Sequence, residues 1–209
     1  MDESIVAGRV LRSSTTGFTI GCQPSLAAQG SATPAFGALV RAANSDAGAT
    51  YGLAYNTVVE DDPFVRQLVA AGIEDEEYIA DQRQRRQAPV TVDVLVVGYG
   101  RPRMAGSATL DIYHRLPAQP PGTLDRIYIC NQAEVRRFTE RHDWLRIVLN
   151  AAHTPADQLA AAALRAAAAA RPEEQARAAY LVAAGRELTR LLALDLMRLD
   201  GILRQLNDR

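Results

Sequence analysis

The sequence predicts an α+β protein, in which a small antiparallel β-barrel with a helical insertion is followed by an α-helical C-terminal domain. Short apolar runs separated by Gly, Pro, Ser and Asn fill residues 4–60, a pattern typical of strands joined by turns. A β-branched run begins at Val90, and helical spacing of apolar residues begins at Gln132. We therefore expect the barrel over residues 1–131, its insertion at 61–87 and the helical domain over 132–209.

The first strands are predicted from runs in which apolar residues alternate with small or polar ones. Gly17 to Gly21 alternates in this way, and a polar break at Asn44 to Asp46 separates two further runs. Such runs fit hairpins in a small barrel. The runs assigned to strands in this part are Ile5-Val6, Val10-Leu11, Phe18 to Ile20, Phe36 to Val40 and Tyr51 to Val59.

The insertion at 61–87 is predicted to contain two helical pieces. Asp62 is placed as an N-cap and Pro63 as the first helical residue, where its missing N–H is not needed. Gly72 is expected to end this helix in the left-handed conformation. The second piece, 75–87, is acidic at its start and rich in arginine at its end, an order that matches the helix dipole.

The clearest strand of the sequence is Val90 to Val97, because it is mostly β-branched. We expect Gly98-Tyr99-Gly100 to form the turn that follows it, and a further strand at 108–113. The prolines between Leu116 and Gly122 exclude regular structure and indicate a boundary. One last strand is predicted at 127–130.

The residues after 132 are predicted to form a helical bundle. Apolar positions from Val135 to Leu149 suggest one helix or two, Thr154 is a natural cap for the next, and the final helix is expected from Glu173 to Leu206. Its leucines are spaced by three, four and seven, which predicts an apolar stripe that contacts a protein partner or a second copy of the chain. The residues of this predicted interface are Leu188, Leu192, Leu199 and Leu203.

The charged composition excludes several classes of protein. The net charge is −1, which argues against a surface that attracts nucleic acid everywhere. All basic residues are arginine and lysine is absent, so neither a phosphate-binding loop nor a lysine Schiff base can be formed. Because phosphoryl transfer needs a preorganised phosphate and metal site, we expect no hydrolysis of ATP or GTP.

Compartment and membrane association are predicted from cysteine usage and hydropathy. The only two cysteines, Cys22 and Cys130, are too few for a disulfide framework, which indicates buried free thiols in the cytoplasm. The acidic amino terminus does not resemble a signal peptide, and no apolar run approaches the roughly 20 residues of a spanning helix. We expect no membrane association.

Candidate binding residues are few. Arg83, Arg85 and Arg86, together with Arg101 and Arg103, form the main candidate cluster for an anion or nucleic acid, because guanidinium groups pair with phosphate and carboxylate. Salt bridges to neighbouring acids are the alternative interpretation. The three histidines, His114, His142 and His153, lack a metal-ligand spacing, so neither a metal nor a cofactor is expected.

The glycine and apolar placement of the first 130 residues resembles the HAS-barrel family. The resemblance is carried by Gly8 to Leu11, Phe18 to Gly21, Phe36 to Val40, Tyr51 to Leu53, Pro117 to Pro121 and Cys130. That family includes the HerA DNA translocase and the ATP synthase. The resemblance implies a small barrel that serves ring assembly and the docking of partners. The motor domain of the family is replaced here by the helical tail, so motor activity is not implied.

These observations predict a non-catalytic binding or assembly module, accessory to a DNA-processing or ATPase complex. Two alternatives stay open at this point. A nucleic-acid-binding barrel would use the arginines and an exposed Tyr99, and its affinity would depend on salt. A hydrolase would need a cleft lined by acidic side chains, and the sequence alone does not show which acidic residues come together in space.

Overall fold

The computed structural model describes residues 5–22, 33–44, 48–59, 66–67, 70–72, 90–104 and 109–207. Its strands are β1 (Ile5–Ser13), β2 (Gly17–Cys22), β3 (Leu39–Ala43), β4 (Ala49–Val59), β5 (Val90–Pro102), β6 (Leu110–Tyr113) and β7 (Arg126–Ile129). Its helices are α1 (Gln132–Phe138), α2 (Leu145–Leu149), α3 (Ala156–Ala169), α4 (Glu174–Leu191) and α5 (Leu196–Asn207). The predicted α+β class is confirmed.

Six of the strands close into an antiparallel barrel, as the sequence predicts. They are hydrogen-bonded in the order β2-β1-β7-β3-β4-β5, and β5 pairs back with β2 to close the ring. The remaining strand, β6, lies outside the ring on the second half of β5. Closure removes the exposed edges that an open sheet of this size would present to water.

The predicted turn at Gly98-Tyr99-Gly100 is wrong, because β5 continues through it to Pro102. A Cβ added at Gly98 would lie 2.6 Å from the carbonyl oxygen of Tyr113 on β6, and one at Gly100 would lie 3.0 Å from the Leu110 side chain. These glycines therefore allow a close approach of β6, a role that glycine has within strands. The β5–β6 hairpin reverses after Pro102.

Two apolar layers hold the fold together. The barrel interior is filled by side chains such as Val10, Ile20, Val94 and Val96. On the outer face, alternate residues such as Leu39, Leu53, Leu95 and Val97 are covered by the helices. The apolar run of β5 is thus buried on both faces, which explains why it is nearly continuous rather than strictly alternating.

The helical layer begins directly after the barrel. Asn131 caps α1 and forms a capping box with Glu134, since each side chain accepts a hydrogen bond from the other residue's backbone amide. Phe138 of α1 and Trp144 before α2 are fully buried in the outer layer with α3. None of the described helices combines the length and apolar character that a bilayer crossing requires.

The predicted single helix from Glu173 to Leu206 is wrong, because the chain breaks between α4 and α5. Asp195 explains the break: its carboxylate accepts the backbone amide of Arg198 at 3.1 Å, which caps α5. The break turns α5 back against α3.

Of two further local predictions, the cap at Thr154 is wrong and the left-handed conformation of Gly72 is confirmed. Thr154 does not cap α3, because its hydroxyl donates to the carbonyl of Ala151 at 3.2 Å and the N-cap is Pro155. Gly72 has a φ of 63°, as predicted for the end of a helix. The rest of the predicted insertion at 61–87 lies outside the described residues, apart from 66–67 and 70–71.

Candidate functional site: a groove between the barrel and α2

Four polar side chains form a row across the outer face of the barrel, one from each of four neighbouring strands. Arg12 of β1 is opposite Thr19 of β2, and Thr19 is opposite Asp93 of β5. On the other side of β5, Asp93 is opposite Asn56 of β4. We call this row the polar ladder. Because side chains alternate along a strand, Thr19 and Asp93 point outward between neighbours that fill the barrel interior.

Two β-bulges bring the ladder into register. One bulge inserts Leu11 before Arg12 on β1, and the other inserts Tyr55 before Asn56 on β4. An inserted residue shifts all later side chains of its strand relative to the partner strand. Without the bulges, Arg12 and Asn56 would not lie opposite the other two members of the ladder.

Hydrogen bonds hold the Asp93 carboxylate from both sides. The Thr19 hydroxyl donates to Oδ1 at 2.7 Å, and the Asn56 amide donates to Oδ2 at 3.0 Å. The Arg12 Nε donates to the Thr19 hydroxyl at 2.9 Å, while its Nη2 lies 3.6 Å from Oδ1. Partial burial raises the pKa of Asp93, but the hydrogen bonds from Thr19 and Asn56 and the charge of Arg12 outweigh it and lower the pKa below its usual value.

The polar ladder borders a groove of about 550 Å³ between the barrel and α2. Its apolar surface comes from both layers, with Phe18 and Leu95 on the strands, Ile147 on α2 and Leu116 before β7. Tyr55, the bulged residue of β4, lines the groove near Asp93. A concave, mainly apolar space of this size with a few polar groups is the usual form of a ligand site.

The hydroxyl groups at one end of the groove are engaged in a turn. The Ser14 side chain accepts the backbone amide of Gly17 at 3.1 Å and contacts the Thr16 hydroxyl at 3.2 Å. His153 and Asn150 line the opposite side. Among the described residues, no three His, Cys, Asp or Glu side chains are grouped so that they could hold a metal ion.

Of the five arginines predicted to bind anions, only Arg101 and Arg103 lie within the described residues. Arg83, Arg85 and Arg86 lie outside the described residues. Arg101 is exposed at the end of β5, with its guanidinium 5.3 Å from the centre of the Tyr99 ring. Arg103 pairs with Asp111 of β6 at 2.9 Å, which is the salt-bridge alternative.

The expectation of an exposed Tyr99 is wrong, because the side chain is buried with 7% exposure. Tyr113 stacks on the Tyr99 ring at 5.2 Å between centroids, and the Arg115 Nε donates to the Tyr99 hydroxyl at 3.0 Å. The sequence placed Tyr99 in an exposed turn, but the residue lies within β5 and is covered by β6. The Tyr99 ring is therefore not available as a stacking platform for a base.

The structure also corrects the expectation of an uncovered leucine stripe. Leu188, Leu192 and Leu199 are 0%, 7% and 8% exposed, and Leu203 is partly buried against the same cluster. The break after α4 folds α5 onto α3, so the chain itself covers these side chains. The most exposed apolar residues of the described helical part lie at the break, at Leu194, Leu196 and Met197.

The three histidines occupy separate environments. The His114 Nε2 donates to the carbonyl oxygen of Phe138 at 2.8 Å, and burial lowers the pKa of this histidine. Burial also lowers the pKa of His142, whose ring stacks on Tyr180 at 4.8 Å between centroids. His153 lines the groove.

Sequence reasoning missed the groove. The available signal was Asp93, the one charged residue within the apolar run Val90 to Val97, which the alternation of the strand explained without any function. Its partners come from three other strands, and their register depends on bulges that leave no clear mark in a single sequence.

No family model matches the chain, and no curated protein is significantly similar to it.

Proposed function

We propose that this chain is a non-catalytic binding module that holds a segment of a partner protein in the groove between the barrel and α2. The observation that carries the proposal is the combination of an apolar groove of about 550 Å³ with a single fixed carboxylate, Asp93, at its border. Apolar walls supply affinity, and one oriented charge supplies selectivity.

The engagement of the polar groups supports binding rather than catalysis. A general base works best with a pKa near the working pH, whereas the hydrogen bonds and nearby charge at Asp93 lower its pKa. A serine nucleophile needs a base within hydrogen-bonding distance. The Ser14 hydroxyl is instead hydrogen-bonded to Thr16 and Gly17 of its own turn. These features disfavour the hydrolase alternative.

The proposed setting is the cytoplasm, where the module would dock beside a DNA-processing or ATPase complex. The resemblance to HAS-barrels supports this setting, and the closed six-strand barrel agrees with the small barrel that the resemblance implies. Free, buried Cys22 and Cys130 are consistent with a reducing compartment.

A nucleic-acid-binding barrel is the second candidate function. Arg101 favours it, because the guanidinium is exposed and its only contact in the described part of the chain is with the ring of Tyr99. The burial of Tyr99 and the pairing of Arg103 with Asp111 count against it. Binding of single-stranded DNA that weakens steeply with salt and is lost in Arg101→Gln would favour this second function.

Site-specific photo-crosslinking tests the proposed function. A photoreactive amino acid is placed at Asn150, which is exposed in the groove, and in a matched control at Val182, which is exposed on α4. We expect a distinct partner to be captured from position 150 only. Equal capture of the same proteins from both positions would contradict the proposal.

The captured partner is then purified and its affinity measured by calorimetry. Ala152→Trp fills the groove from an exposed position and is expected to weaken binding at least tenfold. Ala193→Trp, at the exposed break between α4 and α5, is the matched control and should leave binding unchanged. Unchanged affinity in Ala152→Trp would place the partner elsewhere.

A further inference from the structure

We propose that the groove recognises an arginine side chain of the partner segment through Asp93, and that Arg12 occupies this position when no partner is bound. The inference rests on the proposed function and adds the chemistry of the ligand. It follows from three features of the groove, namely the state of the carboxylate, the weak hold on Arg12 and the walls beside them.

The carboxylate keeps room for a further partner. From the described residues, each oxygen of Asp93 accepts one hydrogen bond, Oδ1 from Thr19 and Oδ2 from Asn56. An ionised carboxylate has about four lone-pair sites, so one on each oxygen is left for a bidentate guanidinium. The Asp93 side chain retains 22% exposure, which makes these sites reachable from the groove.

Arg12 already places a guanidinium at this carboxylate, but it is held weakly. Its side chain is 79% exposed, and its Nη2 lies 3.6 Å from Asp93 Oδ1, beyond a good hydrogen bond. Its firm contact is the Nε donation to the Thr19 hydroxyl at 2.9 Å. Exposed ion pairs contribute little, so an incoming guanidinium can replace this one at small cost.

The walls fit the rest of an arginine side chain. Leu116 and Ile147 offer apolar surface to its aliphatic stem, which gains from being buried while the charged end stays polar. Tyr55 is half-buried beside Asp93, and a guanidinium stacks well on a tyrosine ring. An acidic ligand would instead be repelled by Asp93, because the pKa of this carboxyl is lowered and its charge persists at neutral pH.

Two small probes separate recognition of charge from recognition of shape. N-acetyl-arginine amide carries the guanidinium, and N-acetyl-citrulline amide is nearly the same shape without the charge. In backbone amide NMR titrations we expect saturable, millimolar binding of the arginine probe, with the largest shifts on β2, β5 and α2. The citrulline probe should bind at least tenfold more weakly, and equal binding of the two would overturn the inference.

Variants at the two charged residues give opposite expected effects. Asp93→Asn should weaken binding of the arginine probe at least tenfold. Arg12→Gln removes the competing guanidinium and should strengthen binding of the arginine probe about two- to fivefold. A purely structural role of Arg12 would not produce this effect. Asp111→Asn, which removes the exposed partner of Arg103, is the control and should change nothing. Weaker binding of the arginine probe to Arg12→Gln would show that Arg12 supports the site rather than competing for it, and would overturn the inference.

The two proposals fail in different ways. If crosslinking maps the partner to the groove but replacing its arginines with citrulline leaves the affinity unchanged, the binding function stands and the arginine inference is wrong. If the arginine probe binds at Asp93 but no partner is captured from position 150, the chemistry of the site stands and the proposed protein partner is wrong. Because Arg12 is exposed, the Arg12→Gln variant keeps the test informative even if Asp93→Asn is unstable.

Discussion

The two thiols illustrate how burial controls the chemistry of a single residue. Burial raises the pKa of Cys22 to about 11 and that of Cys130 well above its ordinary value. The thiolate is the reactive form, so burial keeps both thiols protonated and unreactive at pH 8. We expect no reaction with a disulfide reagent in the folded chain and rapid reaction of both thiols in denaturant. Rapid labelling of the native protein would contradict the buried positions.

Leu124 carries a strain that a substitution can release. Its φ is 68°, in the left-handed region, and its side chain is 61% exposed. Leucine in this conformation costs about 1–2 kcal/mol, while asparagine tolerates it. Leu124→Asn should therefore raise the free energy of unfolding by roughly 0.5–1 kcal/mol, measured by urea denaturation. Leu194→Asn, exposed without a positive φ, is the control and should give no such gain.

Residue-level prediction from the sequence succeeded where composition alone decides the outcome. Cysteine is among the most buried residue types, and Cys22 and Cys130 are both buried. It failed at Tyr99 and missed Asp93, because both depend on which strand lies alongside β5. A strand register shifted by one residue reverses the facing of every side chain, and the bulges at Leu11 and Tyr55 make such shifts.

At the level of elements, Gly37 controls how the barrel meets α3. Its φ is 81°, and an added Cβ would lie 2.7 Å from the Cβ of Ala162 and 3.0 Å from the backbone nitrogen of Ala163. We expect Gly37→Ala to lower the free energy of unfolding by at least about 2 kcal/mol, because strain and steric overlap add. Equilibrium denaturation measures this, and an unchanged midpoint would show that α3 is displaced at little cost.

Gly185 gives the matched comparison. It lies within α4, and an added Cβ there would meet no atom of the described residues within 4 Å. Gly185→Ala should raise the free energy of unfolding by about 0.5–1 kcal/mol, because alanine favours the helix more than glycine does. The opposite signs at Gly37 and Gly185 would separate contact with α3 from the general effect of adding a methyl group.

Most elements were predictable because each has its own periodicity. The seven strands and the change to helices after residue 131 follow the apolar patterns, but Ile5-Val6 and Val10-Leu11 belong to one strand, and β3 is Leu39–Ala43 rather than Phe36 to Val40. The errors lie where one residue changes an element locally, as the Asp195 cap does between α4 and α5. The leucine stripe was visible in the sequence, but the element that covers it was not, since coverage depends on how α5 turns back.

For the whole molecule, two partly buried histidines predict a loss of stability in mild acid. Burial lowers the pKa of both His114 and His142. The unfolded chain, with histidine pKa values near 6.5, then binds more protons than the folded chain below that pH. The free energy of unfolding should fall as the pH decreases from about 6.5, by at most about 1.4 kcal/mol per pH unit for each histidine. Urea denaturation between pH 5 and 8 measures this slope.

His142→Phe separates the contribution of one ring. Phenylalanine preserves the stacking on Tyr180 and removes the titrating group, whose buried Nε2 has no hydrogen-bond partner among the described residues. The slope below pH 6.5 should become shallower while the stability at pH 8 stays similar or rises. An unchanged slope would assign the acid sensitivity to His114 or to other groups.

The pairing of β1 with β7 determines when the barrel can first close during synthesis. Ile5 pairs with Ile129, so β1 leaves the ribosome long before β7 exists. At about 5–20 residues per second the wait is roughly 6 to 25 seconds. Through this interval the hydrogen-bonding edge of β1 is open to other chains, which makes the nascent polypeptide a natural client for a chaperone that shields strand edges. A ribosome-bound chain stalled before Arg126 should therefore keep such a chaperone bound. The chaperone should dissociate once β7 has emerged from the exit tunnel.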